Sequence, residues 1–133
     1  MKVKVLGICG SPRKASTYYA LEQALAAAGE LAGVDTEMIA LRGLKFSPCT
    51  HCNKCVRENS ITCTLFNDDL TPLQPKLLEA DGIILASPVY DMNFTPQMSA
   101  FVSRYRGGYV VLKDNPDYFA KKVGGAIAVG GTR

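Results

Sequence analysis

The chain has 133 residues, 47% hydrophobic and 20% charged, which suits one globular domain and excludes a disordered chain. A net charge of +3 and the absence of Trp give no basis for nucleic-acid binding. No apolar run reaches the roughly 18–20 residues of a membrane span, and Met1-Lys2-Val3-Lys4-Val5 lacks the apolar stretch and cleavage site of a secretory signal, so a cytoplasmic protein without a membrane partner is expected.

Lys2 to Cys9 is β-branched and apolar and ends in Gly10-Ser11-Pro12, a strand running into a turn. From Ser16, the residues Leu21, Ala24, Leu25, Ala28, Leu31 and Ala32 recur at helical spacing until Gly33. Val34 to Leu41 predicts a second strand, and Pro72 to Ala80 a short helix with proline near its first turn. The run Gly82-Ile83-Ile84-Leu85-Ala86 predicts a strand covered on both faces. Thr95-Pro96 then predicts an N-cap and first helical residue, with Met98, Phe101, Val102 and Tyr105 on the buried face. Val123 to Val129 predicts a fourth strand.

Strands alternating with helices imply a doubly wound parallel α/β sheet with right-handed crossovers, all within a single domain over 1–133. The stretch from about 42 to 70 is too long for a structureless loop unless something organises it, and four cysteines sit there. The sheet as read has nothing to cover it beyond the fourth strand, so a longer protein or a covering partner chain is expected.

Ligands of such sheets bind outside the carboxyl ends of the strands, where the strand order reverses. Three segments qualify. Gly10 to Thr17 offers the hydroxyls of Ser11, Ser16 and Thr17, the cations Arg13 and Lys14, and a following helix N-terminus. It matches neither the Walker A loop nor the dinucleotide fingerprint, and reads equally as a phosphate cradle or as an ordinary turn capped by Ser16 or Thr17. Ser87 to Phe94 mixes aromatic, apolar and amide groups suited to a flat heteroaromatic ligand, or simply to packing on the domain. Gly130-Gly131-Thr132 would admit a ligand close to the backbone, or form no more than a pliable strand end.

Cys49, Cys52, Cys55 and Cys63 read C-x₂-C-x₂-C-x₇-C. Three thiolates at three-residue intervals suit successive irons of one [4Fe–4S] cubane, closed by a more distant fourth, whereas structural zinc usually takes two separated pairs. The cluster is therefore favoured over zinc, disulfides or a free-thiol redox site. His51 could stand in for a cysteine at zinc and reads rather as a polar neighbour that tunes the site. Cys9, on the first strand, reads as a small buried hydrophobe.

Gly10-Ser11-Pro12-Arg13-Lys14, the cysteine run, Ser87-Pro88-Val89-Tyr90 and Gly130-Gly131-Thr132-Arg133 together resemble the iron–sulfur flavoprotein family of the flavodoxin-like NADPH-dependent FMN reductase superfamily. The resemblance spans the whole chain. It implies a flavodoxin-like fold, FMN at the sheet rim and a [4Fe–4S] cluster on Cys49, Cys52, Cys55 and Cys63. Ser11, Pro12, Arg13, Ser16 and Thr17 would form the FMN phosphate loop. Pro88, Val89, Tyr90, Asp91 and Asn93 would line the isoalloxazine, with Gly130 and Gly131 on its other side. Relatives carry Ser-Asn-Thr where this chain has Ala15-Ser16-Thr17, and they continue into a fifth strand and a further helix. The resemblance also implies a homo-oligomer fed by a ferredoxin-like donor.

The expected function is electron transfer between cluster and FMN toward a two-electron acceptor, which requires no catalytic side chain. The alternatives are an NAD(P)H-dependent FMN or quinone reductase with structural zinc or redox cysteines, and a non-enzymatic metal-binding scaffold or redox sensor. A Cys-x₅-Arg phosphatase loop is disfavoured because Arg13 follows Cys9 by only four positions.

Overall fold

The computed structural model describes residues 2–131, so Thr132 and Arg133 of the terminal Gly-rich segment lie outside the described residues. The order is β1 (Val3–Cys9), α1 (Ser16–Gly29), β2 (Val34–Ala40), α2 (Lys54–Arg57), α3 (Gln74–Glu79), β3 (Gly82–Pro88), α4 (Pro96–Ser103), α5 (Gly107–Asp114) and β4 (Val123–Val129). The four strands pair in parallel in the order β2-β1-β3-β4. The chain therefore steps outward through α1 to β2, then crosses back over β1 to β3. That reversal leaves a crevice at the carboxyl ends of β1 and β3, where Cys9 pairs with Ala86. This is the expected doubly wound, flavodoxin-like arrangement.

Alternation along the strands sends side chains to opposite faces of the sheet. Cys9 and Ala86 pack with Leu21 and Leu25 of α1 on one face, and Cys9 is 1% exposed, as a small hydrophobe should be. Leu6, Ile8 and Ile39 pack with Leu41, Leu70, Leu77, Met98 and Phe101 on the other. Burying each large aliphatic side chain contributes about 1.5–3 kcal/mol, which makes these two layers the main source of stability. β4 is different: Val123 is 73% exposed and most of the strand is open to solvent.

Several elements depart from the sequence expectation. α1 ends at Gly29, and Leu31 is 65% exposed, because the Glu30 and Leu31 amides bond to the Ala27 and Ala28 carbonyls and turn the chain toward Gly33 at φ 81°. The N-cap of α1 is Ala15, which supplies no side-chain cap, so neither Ser16 nor Thr17 fills that role. α4 starts as expected, with the Thr95 hydroxyl accepting from the Met98 amide and Pro96 in the first turn. Val102, however, lies exposed beside the sheet rather than on the buried face of α4. α2 and α5 were not legible in the sequence. α5 opens on Gly107-Gly108, a pair of poor helix formers that tertiary packing overrides.

Candidate functional site

At the crevice, Thr95 ties two loops together. Its hydroxyl, fully buried, donates to the Gly10 carbonyl at 2.7 Å, while its amide donates to the Ser87 hydroxyl at 3.1 Å. The Gly10 amide donates to the Ala86 carbonyl at 2.8 Å. Gly10 is needed for this approach, since a Cβ there would meet Met98 Cε at 2.9 Å and Thr95 Oγ1 at 3.2 Å. The turn after β1 is thereby clamped against the start of α4.

On that turn, Ser11 is buried and its hydroxyl accepts from the Arg13 amide at 3.1 Å. Pro12, Arg13 and Ser16 are exposed, and Thr17 is buried against the domain. The first turn of α1 has no side-chain cap, which leaves its amides free for an anion. Lys14 stacks over Tyr18 at 5.1 Å, so of the two cations Arg13 is the one without a stacking partner on this turn.

Beyond β3 lies a cleft of about 360 Å³, within the usual size of a small-molecule site. Pro88, Val89 and Asn93 line it, as expected, together with Met92, Phe94 and the exposed Val102. Tyr90 and Asp91 do not line it. They begin a tight hairpin in which the Tyr90 and Asn93 amides and carbonyls pair at 2.7 and 3.0 Å, with Asp91 at φ 51° and Met92 at φ 64°. Two non-glycine residues in the left-handed region cost roughly 1–3 kcal/mol each, and such strain collects at ligand-binding loops. Gly130 packs near Val89, whose amide donates to the Val129 carbonyl at 2.9 Å, whereas Gly131 faces open space. Ser11, Pro12, Arg13, Ser16 and Thr17 lie on the neighbouring turn and not on this cleft. A mostly apolar slot beside an uncapped helix N-terminus fits a flat ring carrying a phosphate tail.

The cysteine loop lies at the other end of α4. Cys49, Cys52, Cys55 and Cys63 line one small cavity together with Asn53, Lys54, Thr64 and Arg106, and all are free thiols. The backbone places them through left-handed turns at His51, Asn53 and Asn59, the last two a residue type that tolerates positive φ. The His51 amide donates to Cys49 Sγ at 3.2 Å and the Phe66 amide to Cys63 Sγ at 3.3 Å, contacts that fix the two sulfurs against the loop backbone. The amide of Lys54 pulls the Cys52 thiol below its usual range, with help from the Thr50 hydroxyl and the Arg57 charge and against the upward push of desolvation. Among the described residues, no three His, Cys, Asp or Glu side chains stand close enough together to hold a single ion.

What organises this long loop was missed in the sequence. Asp68 accepts two hydrogen bonds from Arg104, at 2.7 and 3.0 Å, and others from the Ser47 and Leu70 amides. Arg104 also donates to the Ser47 carbonyl at 2.8 Å, and its own carbonyl accepts from Gln74 Nε2. Gln74 Oε1 in turn accepts from the Cys63 amide at 3.0 Å, and the Ser103 hydroxyl accepts from the Cys49 amide at 3.0 Å. Burial alone would push the Asp68 carboxyl up; the Arg104 and amide hydrogen bonds outweigh it and hold the carboxyl low. Two polar atoms in the cysteine cavity remain buried without a partner, Thr64 Oγ1 and Arg106 Nε. Four soft thiol donors beside unsatisfied donor groups suit an anionic metal–sulfur group.

A parallel sheet of order β2-β1-β3-β4 with a clamped crevice at its carboxyl ends defines a flavodoxin-like fold. Residues 3–133 match the family model of NADPH-dependent FMN reductase, and the chain belongs to that family of flavin-dependent redox proteins. It is 39% identical over 129 residues to an iron–sulfur flavoprotein of Archaeoglobus fulgidus, covering 97% of this chain and 63% of that protein. It is 35% identical to the iron–sulfur flavoprotein of Methanosarcina thermophila, covering 98% and 65%. The resemblance read from the motifs is thus borne out, and the chain spans less than two thirds of the length of these relatives. Among solved structures it resembles a flavone reductase, with a TM-score of 0.67 and 25% identity over 98% of this chain and 44% of that one. An NAD(P)H:quinone oxidoreductase from Methanothermobacter marburgensis shares the fold, with a TM-score of 0.63 and 11% identity over 100% and 86%. No helix among the described residues is long and apolar enough to cross a membrane.

Proposed function

We propose that the protein is an FMN-dependent electron-transfer oxidoreductase that passes electrons between a [4Fe–4S] cluster and FMN. The observation that carries this reading is the meeting of Cys49, Cys52, Cys55 and Cys63 on one cavity at the end of α4. The cluster would supply one-electron chemistry and the flavin both one- and two-electron chemistry. The chain's part is to bind and position. The four cysteines hold the cluster, while the network of Asp68, Arg104 and Gln74 sets the loop that carries them. Ser11, Arg13, Ser16, Thr17 and the free amides of α1 hold the FMN phosphate. Pro88, Val89 and Asn93 line the ring, with Gly130 beside Val89. By resemblance, a ferredoxin-like donor supplies electrons, the working form is a homo-oligomer, and the acceptor takes two electrons.

The decisive measurement is an anaerobic visible spectrum joined to iron, sulfide and zinc analysis. Broad absorption that bleaches on reduction, with iron and sulfide in equal amounts and flavin bands beneath, is the expected result. Cys63→Ala should lose the iron and keep the flavin. Zinc without iron would defeat the cluster. In that case the family's NADPH dependence favours the second reading, a pyridine-nucleotide-driven FMN reductase whose activity survives Cys63→Ala.

A further inference from the structure

Arg106 is a cation whose charge is not accounted for by the fold. Among the described residues the ion pairs are Lys2–Asp35, Lys76–Glu37 and Arg104–Asp68, so Arg106 faces no carboxylate. Its guanidinium meets an amide oxygen, an imidazole and an aromatic ring instead. One terminal nitrogen donates to Asn53 Oδ1, the other lies 3.3 Å from His51 Nδ1, and the plane sits 4.8 Å over the Tyr109 ring. Both His51 and Asn53 reach it from left-handed backbone, φ 58° and 60°, and they flank Cys52. The third nitrogen, Nε, is buried and unpartnered. Arg106 lines both of the small cavities that Cys49, Cys55 and Cys63 line, one of which includes Cys52.

The other cations near the loop are committed elsewhere. Lys54 Nζ donates to the Thr64 carbonyl and Arg57 to the Cys52 carbonyl; Arg104 lines the second cavity and its Nε is also buried without a partner, but its charge is paired with Asp68. Arg106 is partly buried, and its Nε is the atom shut off from solvent; a buried donor is costly unless it finds an acceptor. The thiols are the groups that share Arg106's cavity, and Thr64 Oγ1 is a second unpartnered polar atom there.

We propose that Arg106 is a potential-setting positioning residue: its oriented guanidinium compensates the negative charge of the group held by Cys49, Cys52, Cys55 and Cys63 and raises that group's reduction potential. This role rests on the cluster reading of the proposed function. Four thiolates leave an iron–sulfur group anionic, and each electron added, supplied by the reductant in a titration, increases that charge by one. A cation fixed beside the group stabilises the more negative state more strongly. His51 and Asn53 matter because they prevent the guanidinium from swinging out to solvent.

The test is an anaerobic dithionite titration, monitored by electron paramagnetic resonance, of the reconstituted wild-type chain, Arg106→Gln and Arg106→Lys. Iron and sulfide are measured for each. Arg106→Gln should retain the wild-type iron content and lose at least tenfold in the equilibrium constant for reduction, about 59 mV for one electron. Arg106→Lys keeps the charge and should return most of that shift. A loss of less than tenfold in that equilibrium constant for Arg106→Gln overturns the proposal, as does an Arg106→Lys shift as large as that of Arg106→Gln. Should Arg106→Gln fail to fold, as read by far-ultraviolet circular dichroism, Arg106→Lys decides alone: retention of the potential supports the role and a tenfold loss overturns it. A wild-type chain that takes up no iron defeats the cluster reading and this role with it, whereas a loaded wild type with an unshifted Arg106→Gln defeats this role alone.

Discussion

Replacing Asp68 by Asn removes one charge and almost no volume, and so isolates what the ion pair with Arg104 contributes. The Arg104 side chain is 2% exposed and that of Asp68 17%, with two hydrogen bonds between them at 2.7 and 3.0 Å. Breaking a buried pair from one side leaves the other charge uncompensated and costs about 3–5 kcal/mol. The Asn amide would also turn a donor toward guanidinium donors, and the Ser47 and Leu70 amides would compete for the single acceptor left. A domain of ordinary stability has roughly 5–15 kcal/mol in all, so the loss should be plain in urea unfolding followed by circular dichroism, with the midpoint falling and the slope unchanged.

Two further measurements constrain that reasoning. The double variant Asp68→Leu with Arg104→Met removes both charges, and it should be less destabilised than the two single changes added together. The carboxyl is held below its ordinary value of 3.8, so its stabilisation is complete above that pH and is lost as pH falls through the lower, folded-state value. Asp68→Asn should lack this part of the acid limb. A loss under about 1 kcal/mol at neutral pH would place the pair with exposed salt bridges and refute its role as organiser of the cysteine loop.

A methyl group at Gly107 would sit 2.5 Å from the Ile61 carbonyl oxygen, so Gly107→Ala should destabilise by about 1–3 kcal/mol in the same urea assay. A loss within error would show that the loop before Cys63 can shift freely. Thr95→Val removes a helix cap and strands the Gly10 carbonyl, and should cost about 2–4 kcal/mol and weaken FMN binding measured by fluorescence, while Thr95→Ser recovers most of both. A valine variant as stable as wild type would refute the role of the hydroxyl. Burial, aided by Tyr118, pushes the Tyr105 hydroxyl to about 12 from 10.0, so its stabilisation holds below pH 10 and fades between there and 12. Tyr105→Phe should flatten that alkaline fall in urea midpoints, and an unchanged slope would contradict it.

The strands could be read directly because β-branched runs end on Gly or Pro, and Thr95-Pro96 could be read because a cap and a first-turn proline act locally. Chemistry that depends on distant partners could not. Arg104 and Asp68 are 36 residues apart and look like ordinary surface charges in the sequence, yet they meet inside the fold. Val102 fits the apolar spacing of α4 but faces the cleft, because the helix presents that side to the rim of the sheet. α5 begins with two glycines whose propensity argues against a helix, and Gly107 is there because the Ile61 backbone leaves no room for a side chain. In the sequence the four cysteines stand out as the candidate organiser of the long loop. In the structure that loop is also held by protein groups, with Gln74 reaching the Cys63 amide and Ser103 the Cys49 amide.

These contacts assign α4 a task beyond packing. Its N-cap, Thr95, grips the turn after β1 and the end of β3, where a flavin would lie. Its last residue, Ser103, and the following Arg104 grip the loop that carries the thiols. Eight helical residues at about 1.5 Å each separate the two ends by roughly 12 Å. A short helix capped at one end and anchored by an ion pair at the other is a stiff spacer. In the proposed reaction no side chain attacks or protonates anything, so fixing two redox groups at a set separation is the main contribution the polypeptide can make. Tight ties at both ends of so short a helix are what that contribution requires, and they account for a buried Thr and a buried Arg on an element that core packing alone would fill with aliphatic residues.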